Sequence, residues 1–156
     1  MTMPEIESVV INEVQFGSLD QVEIYNNGNV EFNLDDYWLC LGPGRYLRIG
    51  DSTPVSGSTL LPAGEFLVLQ LEGALAMDND EGLGMYSMRD FTNPDVMVDF
   101  VQWGAGGSAR ENIAEAAGIW VAGDFVSSVA ESSSICLLYT SPSPRDQRGS
   151  RMPSSA

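Results

Sequence analysis

A chain of 156 residues with 7 basic and 22 acidic side chains and a net charge of −15 has little with which to displace counterions from phosphates, so nucleic acid is not an expected partner. Histidine and lysine are both absent, which removes Ser-His-Asp and Cys-His catalysis, His-based zinc sites, Schiff-base chemistry and Walker-type phosphate loops. Apolar runs such as FLVL at 66–69 fall far short of the roughly 18 residues of a membrane span, so direct membrane insertion is not expected either.

Residues 1–7 (MTMPEIE) carry neither the basic nor the apolar stretch of a secretory signal and read as an N-terminal extension. From residue 8 onward, short runs of β-favouring residues recur: 8–14 (SVVINEV), 21–26 (QVEIYN), 37–41 (YWLCL), 45–49 (RYLRI), 65–71 (EFLVLQL), 84–88 (GMYSM) and 95–103 (DVMVDFVQW). Several alternate. Val22 and Ile24 oppose Glu23 and Tyr25, and Val96, Val98 and Phe100 fall on one face of their run. This period of two predicts half-buried antiparallel strands. Between them, Asn27-Gly28 predicts a tight hairpin turn. Pro43-Gly44 predicts a type II turn, and 61–64 (LPAG) a type I turn with Pro62 second and Gly64 fourth. Many short strands separated by turns predict an all-β fold, a sandwich or a barrel.

One segment departs from this pattern. Ser108 with Glu111 three residues on, followed by a good helix former that closes on Gly118, predicts a short helix over 108–117. Ile113, Ala116 and Ala117, with Ile119 and Trp120, would dock it on the end of the β structure. The domain is expected over 8–130, with 131–135 as a linker or truncated end.

Residues 136–156 (CLLYTSPSPRDQRGSRMPSSA) break with the rest. They hold three of the seven basic residues and one acid, so residues 1–135 carry four arginines against 21 acids, a charge of −17. Written back into codons, 136–146 resembles the transposase-end adapter of short-read sequencing libraries, and 150–156 resembles the flow-cell end of the same adapter. The three residues between them have the coding length of a sample index. We read 136–156 as a disordered, non-native tail and the preceding chain as a truncated fragment of metagenomic type. Cys136 is then discounted, and Cys40, alone among hydrophobes, is expected to be an inert core residue.

Carboxylate chemistry remains possible. Glu13 and Glu23 on neighbouring strands could serve as acid and base, although polar positions of two alternating strands explain them more simply. The cluster 78–82 (DNDEG) offers Asp78 and Asp80 as oxygen ligands for Ca²⁺. It is not an EF-hand, because Leu83 stands where the loop needs glycine and Arg89 where it needs glutamate. A solvated acidic turn accounts for the same residues. The run 104–107 (GAGG) before the helix looks like an anion-cradling loop, but Ala109 occupies the place of the third glycine of a dinucleotide fingerprint, so a strand-to-helix connection is expected. Trp38, Trp103 and Trp120 are expected in the core. No catalytic residue and no cofactor follow from these residues.

Six stretches in order, VVINEV, QVEIYNNG, LDDYWLCL, LPAGEFLVL, DNDEGLGMY and DFVQWG, resemble the lamin tail domain, over roughly residues 9–104. The resemblance implies an immunoglobulin-like antiparallel β-sandwich, with Asn12, Glu13, Glu23, Trp38, Trp103 and Gly104 at signature fold positions. It does not extend to filament function, since the chain shows no coiled-coil rod, basic nuclear-targeting run or prenylation ending. The run 109–126 (ARENIAEAAGIWVAGDFV) looks more like the stand-alone or surface-associated bacterial members. Those imply a non-catalytic interaction or surface-attachment module, extracellular or at the cell surface, with a protein or cell-surface partner. A cytoplasmic location is the alternative. A Ca²⁺-stabilised adhesion or carbohydrate-binding domain is the alternative function, and a carboxylate-based hydrolase the third.

Overall fold

The computed structural model describes residues 3–17, 20–71, 73–127 and 134–136. Alternation builds the first sheet: Val22, Ile24 and Asn26 of β2 (Gln21–Asn26) are buried while Gln21, Glu23 and Tyr25 remain half-exposed. β1 (Val9–Gln15) flanks β2 on one side and β8 (Phe66–Gln70) on the other. The short strands β11 (Ser134–Cys136) and β6 (Pro54–Ser56) form the edges, giving the order β11-β1-β2-β8-β6. The second sheet runs β10 (Met97–Trp103), β9 (Glu81–Tyr86), β4 (Trp38–Gly42), β5 (Arg45–Arg48). β3 (Phe32–Asn33) and β7 (Leu60–Leu61) pair separately.

All these ladders are antiparallel. Ile11, Val14, Val22, Ile24, Leu67 and Leu69 of the first sheet share one buried cluster with Leu39, Met85, Phe100 and Trp103 of the second. Burying each such side chain stabilises by about 1.5–3 kcal/mol. The architecture is the expected antiparallel β-sandwich, with one short helix, α1 (Glu111–Ala116), near its C-terminal end. Among the described residues no helix is long and apolar enough to cross a membrane.

Several local expectations change. The Pro43-Gly44 turn stands, with Gly44 at φ +71° joining β4 to β5. At 61–64 the turn is shifted by one residue: Glu65 N–H donates to Pro62 O at 3.2 Å, which places Gly64, at φ +79°, third rather than fourth. Asn27-Gly28 is not a hairpin. Both amides donate to the Ser8 carbonyl, and a Cβ on Gly28 would lie 2.1 Å from the Ile6 oxygen, so close approach of the N-terminal segment is what requires glycine there. Val96 belongs to a 3-10 turn at Pro94–Val96 and the register of β10 shifts between Met97 and Asp99, so Val96, Val98 and Phe100 do not continue one face. Asp99 is buried instead, and its Oδ2 accepts the Ile11 amide of the opposite sheet at 2.8 Å.

The helix starts at Glu111, later than the expected Ser108. Gly118, at φ +74°, stops it as expected, and its amide donates to Glu115 O. Ile113 and Ala114 carry the buried face, whereas Ala116 is exposed. Trp103 and Trp120 are core residues, but Trp38 is only half-buried. The linker expected over 131–135 ends in an edge strand, because Ile135 stands opposite Val14 and is fully buried there. Cys136, counted with the tail, closes that strand opposite Glu13. Residues 131–133 and 137–156 lie outside the described residues. Cys40 is buried and both cysteines are free thiols.

Candidate functional site

The outward face of the five-stranded sheet is built in rows by its register. Gln15, Gln21 and Gln70 form one row, Glu13, Glu23 and Val68 the next, and Val10, Tyr25 and Phe66 the third. In the first row Gln21 Nε2 donates to Gln70 Oε1 at 3.2 Å. In the third, the rings of Tyr25 and Phe66 stack with centroids 4.7 Å apart, and Phe66 is 42% exposed.

The middle row brings two of the signature carboxylates face to face. The register of β1 slips between Ile11 and Glu13, leaving Asn12 as the extra residue of a bulge and Glu13 directly opposite Glu23. Without the bulge, Asn12 would take that place. The Asn12 Nδ2 instead donates to Glu23 Oε1 at 2.8 Å. Among the described residues neither glutamate forms an ion pair with an arginine, and like charges across a ladder are destabilising. A cleft of about 100 Å³ lies over them, lined by Glu13, Gln15, Gln21, Glu23 and Val68. Thus Asn12, Glu13 and Glu23 converge on one outward-facing spot, while Trp38, Trp103 and Gly104 lie elsewhere.

Trp103 and Gly104 are explained by the acidic turn. The indole Nε1 of Trp103 donates to the Asp78 carbonyl at 2.8 Å, and a Cβ on Gly104, at φ +93°, would meet Asp80 Cα at 2.5 Å. Asp80 Oδ1 in turn accepts the Ala105 amide. The two candidate ligands therefore diverge. Asp80 is tied to the 104–107 loop, whereas Asp78 lines a cleft of about 440 Å³ with Phe16, Gly17, Asp20 and Asn79. Asp20 has no motif to mark it. Its Oδ1 already accepts the Met77 amide at 3.0 Å. No group of three or more potential metal ligands comes together among the described residues.

The carboxylate beside the glycine loop is the chain's own Glu111, and most of its partners lie outside the loop. Glu111 Oε2 accepts from Gln102 Nε2 at 2.6 Å and from the Gly123 amide at 3.0 Å. The hydrogen bond from Gln102, with backbone hydrogen bonds from Gly123 and Gly107, holds its pKa below the ordinary value, against a smaller opposing effect of burial. Ser108, expected as a helix cap, is taken by Gln102 Oε1, which accepts from both its amide and its hydroxyl. The need of buried Gln102 for partners overrides the capping box.

On the outer face of the second sheet, Trp38 belongs to an aromatic group with Tyr46, Tyr86 and Phe91. Burial pushes the Tyr86 phenol well above its ordinary pKa, and among the described residues neither its hydroxyl nor Arg110 Nε has a hydrogen-bond partner. The chain matches no protein-family model and no curated protein.

Proposed function

We propose that the chain is a non-catalytic interaction or surface-attachment module of lamin-tail type, and that it works through the outward face of the five-stranded sheet. The observation that carries this reading is the opposed Glu13–Glu23 pair, set between a glutamine row and the stacked Tyr25 and Phe66 rings, of which Phe66 is exposed. A like-charge pair placed across a ladder works against stability, and a basic group on a partner would offset that cost on binding. The protein or cell-surface partner of a bacterial, extracellular module is the context that the family resemblance suggests.

The test compares the wild-type chain with the double variant Glu13→Gln, Glu23→Gln, each immobilised and exposed to cell-envelope and secreted-protein fractions. Specific retention by the wild type that is lost in a normally folded double variant is the expected result. Turnover of a polysaccharide or protein polymer that disappears in Glu23→Gln would replace the module with the carboxylate hydrolase.

A second reading, a Ca²⁺-stabilised adhesion or carbohydrate-binding domain, is favoured by Asp78 and Asp20 lining the same cleft. A specific ligand raises native stability by mass action. The melting temperature should therefore rise with millimolar Ca²⁺ at fixed ionic strength, and an unchanged value eliminates the metal.

A further inference from the structure

We infer that the outer face of the four-stranded sheet carries a recognition site for an arginine side chain of a basic partner protein, with Arg89 as its internal competitor. The site is distinct from the face of the five-stranded sheet and does not depend on the role given to Glu13 and Glu23.

Trp38 on β4, Tyr46 on β5 and Phe91 beyond β9 bring three half-buried rings together, with centroid separations of 6.0, 6.0 and 5.1 Å. Tyr86 buttresses them from beneath, edge-on to Phe91 at 5.1 Å. A guanidinium already occupies this surface. Arg89 Cζ stands 4.7 Å from the Tyr46 centroid and 5.5 Å from that of Trp38, and Arg89 Nη2 donates to Tyr46 Oη at 2.5 Å. A cation that lies over rings and also donates to the phenol among them suits a guanidinium, whose delocalised fork serves both contacts, better than an ammonium group, which is a compact point charge.

Of the four arginines in residues 1–135, Arg45 pairs with Glu81, Arg48 pairs with Asp36 and Asp51, and Arg110, like Arg89, makes no ion pair among the described residues; what sets Arg89 apart is that it lies over aromatic rings. Arg89 has 21 acids in the same stretch of chain, yet among the described residues it makes no ion pair and rests on rings. The rings therefore hold a guanidinium without help from a carboxylate. Arg89 itself is exposed, so the side chain can leave without moving a strand. A molecule of net charge −15 draws basic partners toward it. At contact, a partner arginine would compete with Arg89 for the same rings, and the apparent affinity is reduced by the fraction of time Arg89 occupies them.

The test follows the Trp38 indole N–H by NMR in the full chain while N-acetyl-argininamide is added at constant ionic strength. N-acetyl-lysinamide and tetramethylammonium are the comparison cations. Removing the competitor should tighten binding, so Arg89→Ala and Arg89→Ser should each bind N-acetyl-argininamide at least threefold more tightly than the wild type and more tightly than either comparison cation. The buried Trp103 and Trp120 indoles report whether the variants keep the fold. Equal affinity in wild type and variants, absence of a saturable shift, or preference for tetramethylammonium overturns the assignment. Displacement of all three indoles in both variants before any ligand is added also overturns it, because Arg89 is then a structural clamp.

Discussion

A buried glutamine must find partners for two amide protons and a carbonyl oxygen, and Gln102 finds them in three separate segments. Its Nε2 donates to Glu111 Oε2 and to the Asp124 carbonyl, which also accepts the Trp120 indole, while its Oε1 takes both donors of Ser108. The strand, the glycine loop, the helix start and the segment after the helix are thus joined through one side chain and one carboxylate. Because Glu111 has a lowered pKa in the folded chain, its contribution is fully present above the unfolded-chain value of about 4.5 and is lost as pH falls through the folded value. Glu111→Gln should lower stability by about 1–2 kcal/mol at neutral pH through its weakened charge-assisted bonds. The gap between wild type and variant should narrow as pH falls below 4.5. Urea midpoints of both proteins between pH 7 and pH 3 measure this. A constant gap would mean that the carboxylate charge is not what holds the loop.

The pairing of β1 with β2 places the second prediction at the level of the element. Glu13 and Glu23 oppose one another only because Asn12 is bulged out, so removing one charge should relieve repulsion while leaving the ladder intact. Glu13→Gln is expected to raise stability by about 0.2–1 kcal/mol in low salt, read from the urea midpoint. If the face binds a basic partner, the same substitution weakens binding, the usual exchange of function for stability. A destabilised Glu13→Gln would show that the carboxylate has a favourable partner and would remove the reason for treating the pair as a site. The pair also shows what could be read from sequence. β2 was legible to the residue, because Val22, Ile24, Glu23 and Tyr25 alternate without interruption. The opposition of Glu13 to Glu23 was not, since a bulge changes register without changing composition. β3, β6 and β7 have two or three residues each, too few to display a period. Asp99 reads as a polar position in an alternating run, yet it is buried and accepts the Ile11 amide beside that same bulge. Asp20 and Arg89 act through partners distant in sequence, and Gln102 joins its near neighbours Ser108 and Glu111 to Asp124; single-sequence pattern has no access to those contacts. Gly104 had a signal in its motif, but its reason, contact with Asp80, needed the fold.

At the scale of the molecule, charge is unbalanced far beyond what the ion pairs can offset. The pairs among the described residues involve only Arg45 and Arg48, and the Arg48 partners are exposed, at 86% and 67%. Exposed pairs contribute little, because solvent screens them, and salt weakens them further. Against them stands repulsion among the acids that give the chain its net charge of −15, a sum over long distances that favours the expanded state. The screening length falls from about 10 Å at 0.1 M to about 3 Å at 1 M salt, so the repulsion should fade with added salt while the local hydrogen bonds of the Gln102 group persist. Raising NaCl from 0.02 to about 1 M, the range over which screening changes most, should therefore raise the melting temperature by several degrees. Most of the gain should come before the screening length drops to the spacing of neighbouring surface charges. KCl should reproduce the curve, because screening depends on ionic strength and not on which monovalent cation is present. A flat curve would mean that the lost ion pairs match the relieved repulsion and a falling one that they exceed it, and the acidic surface would then have to be explained by what it binds.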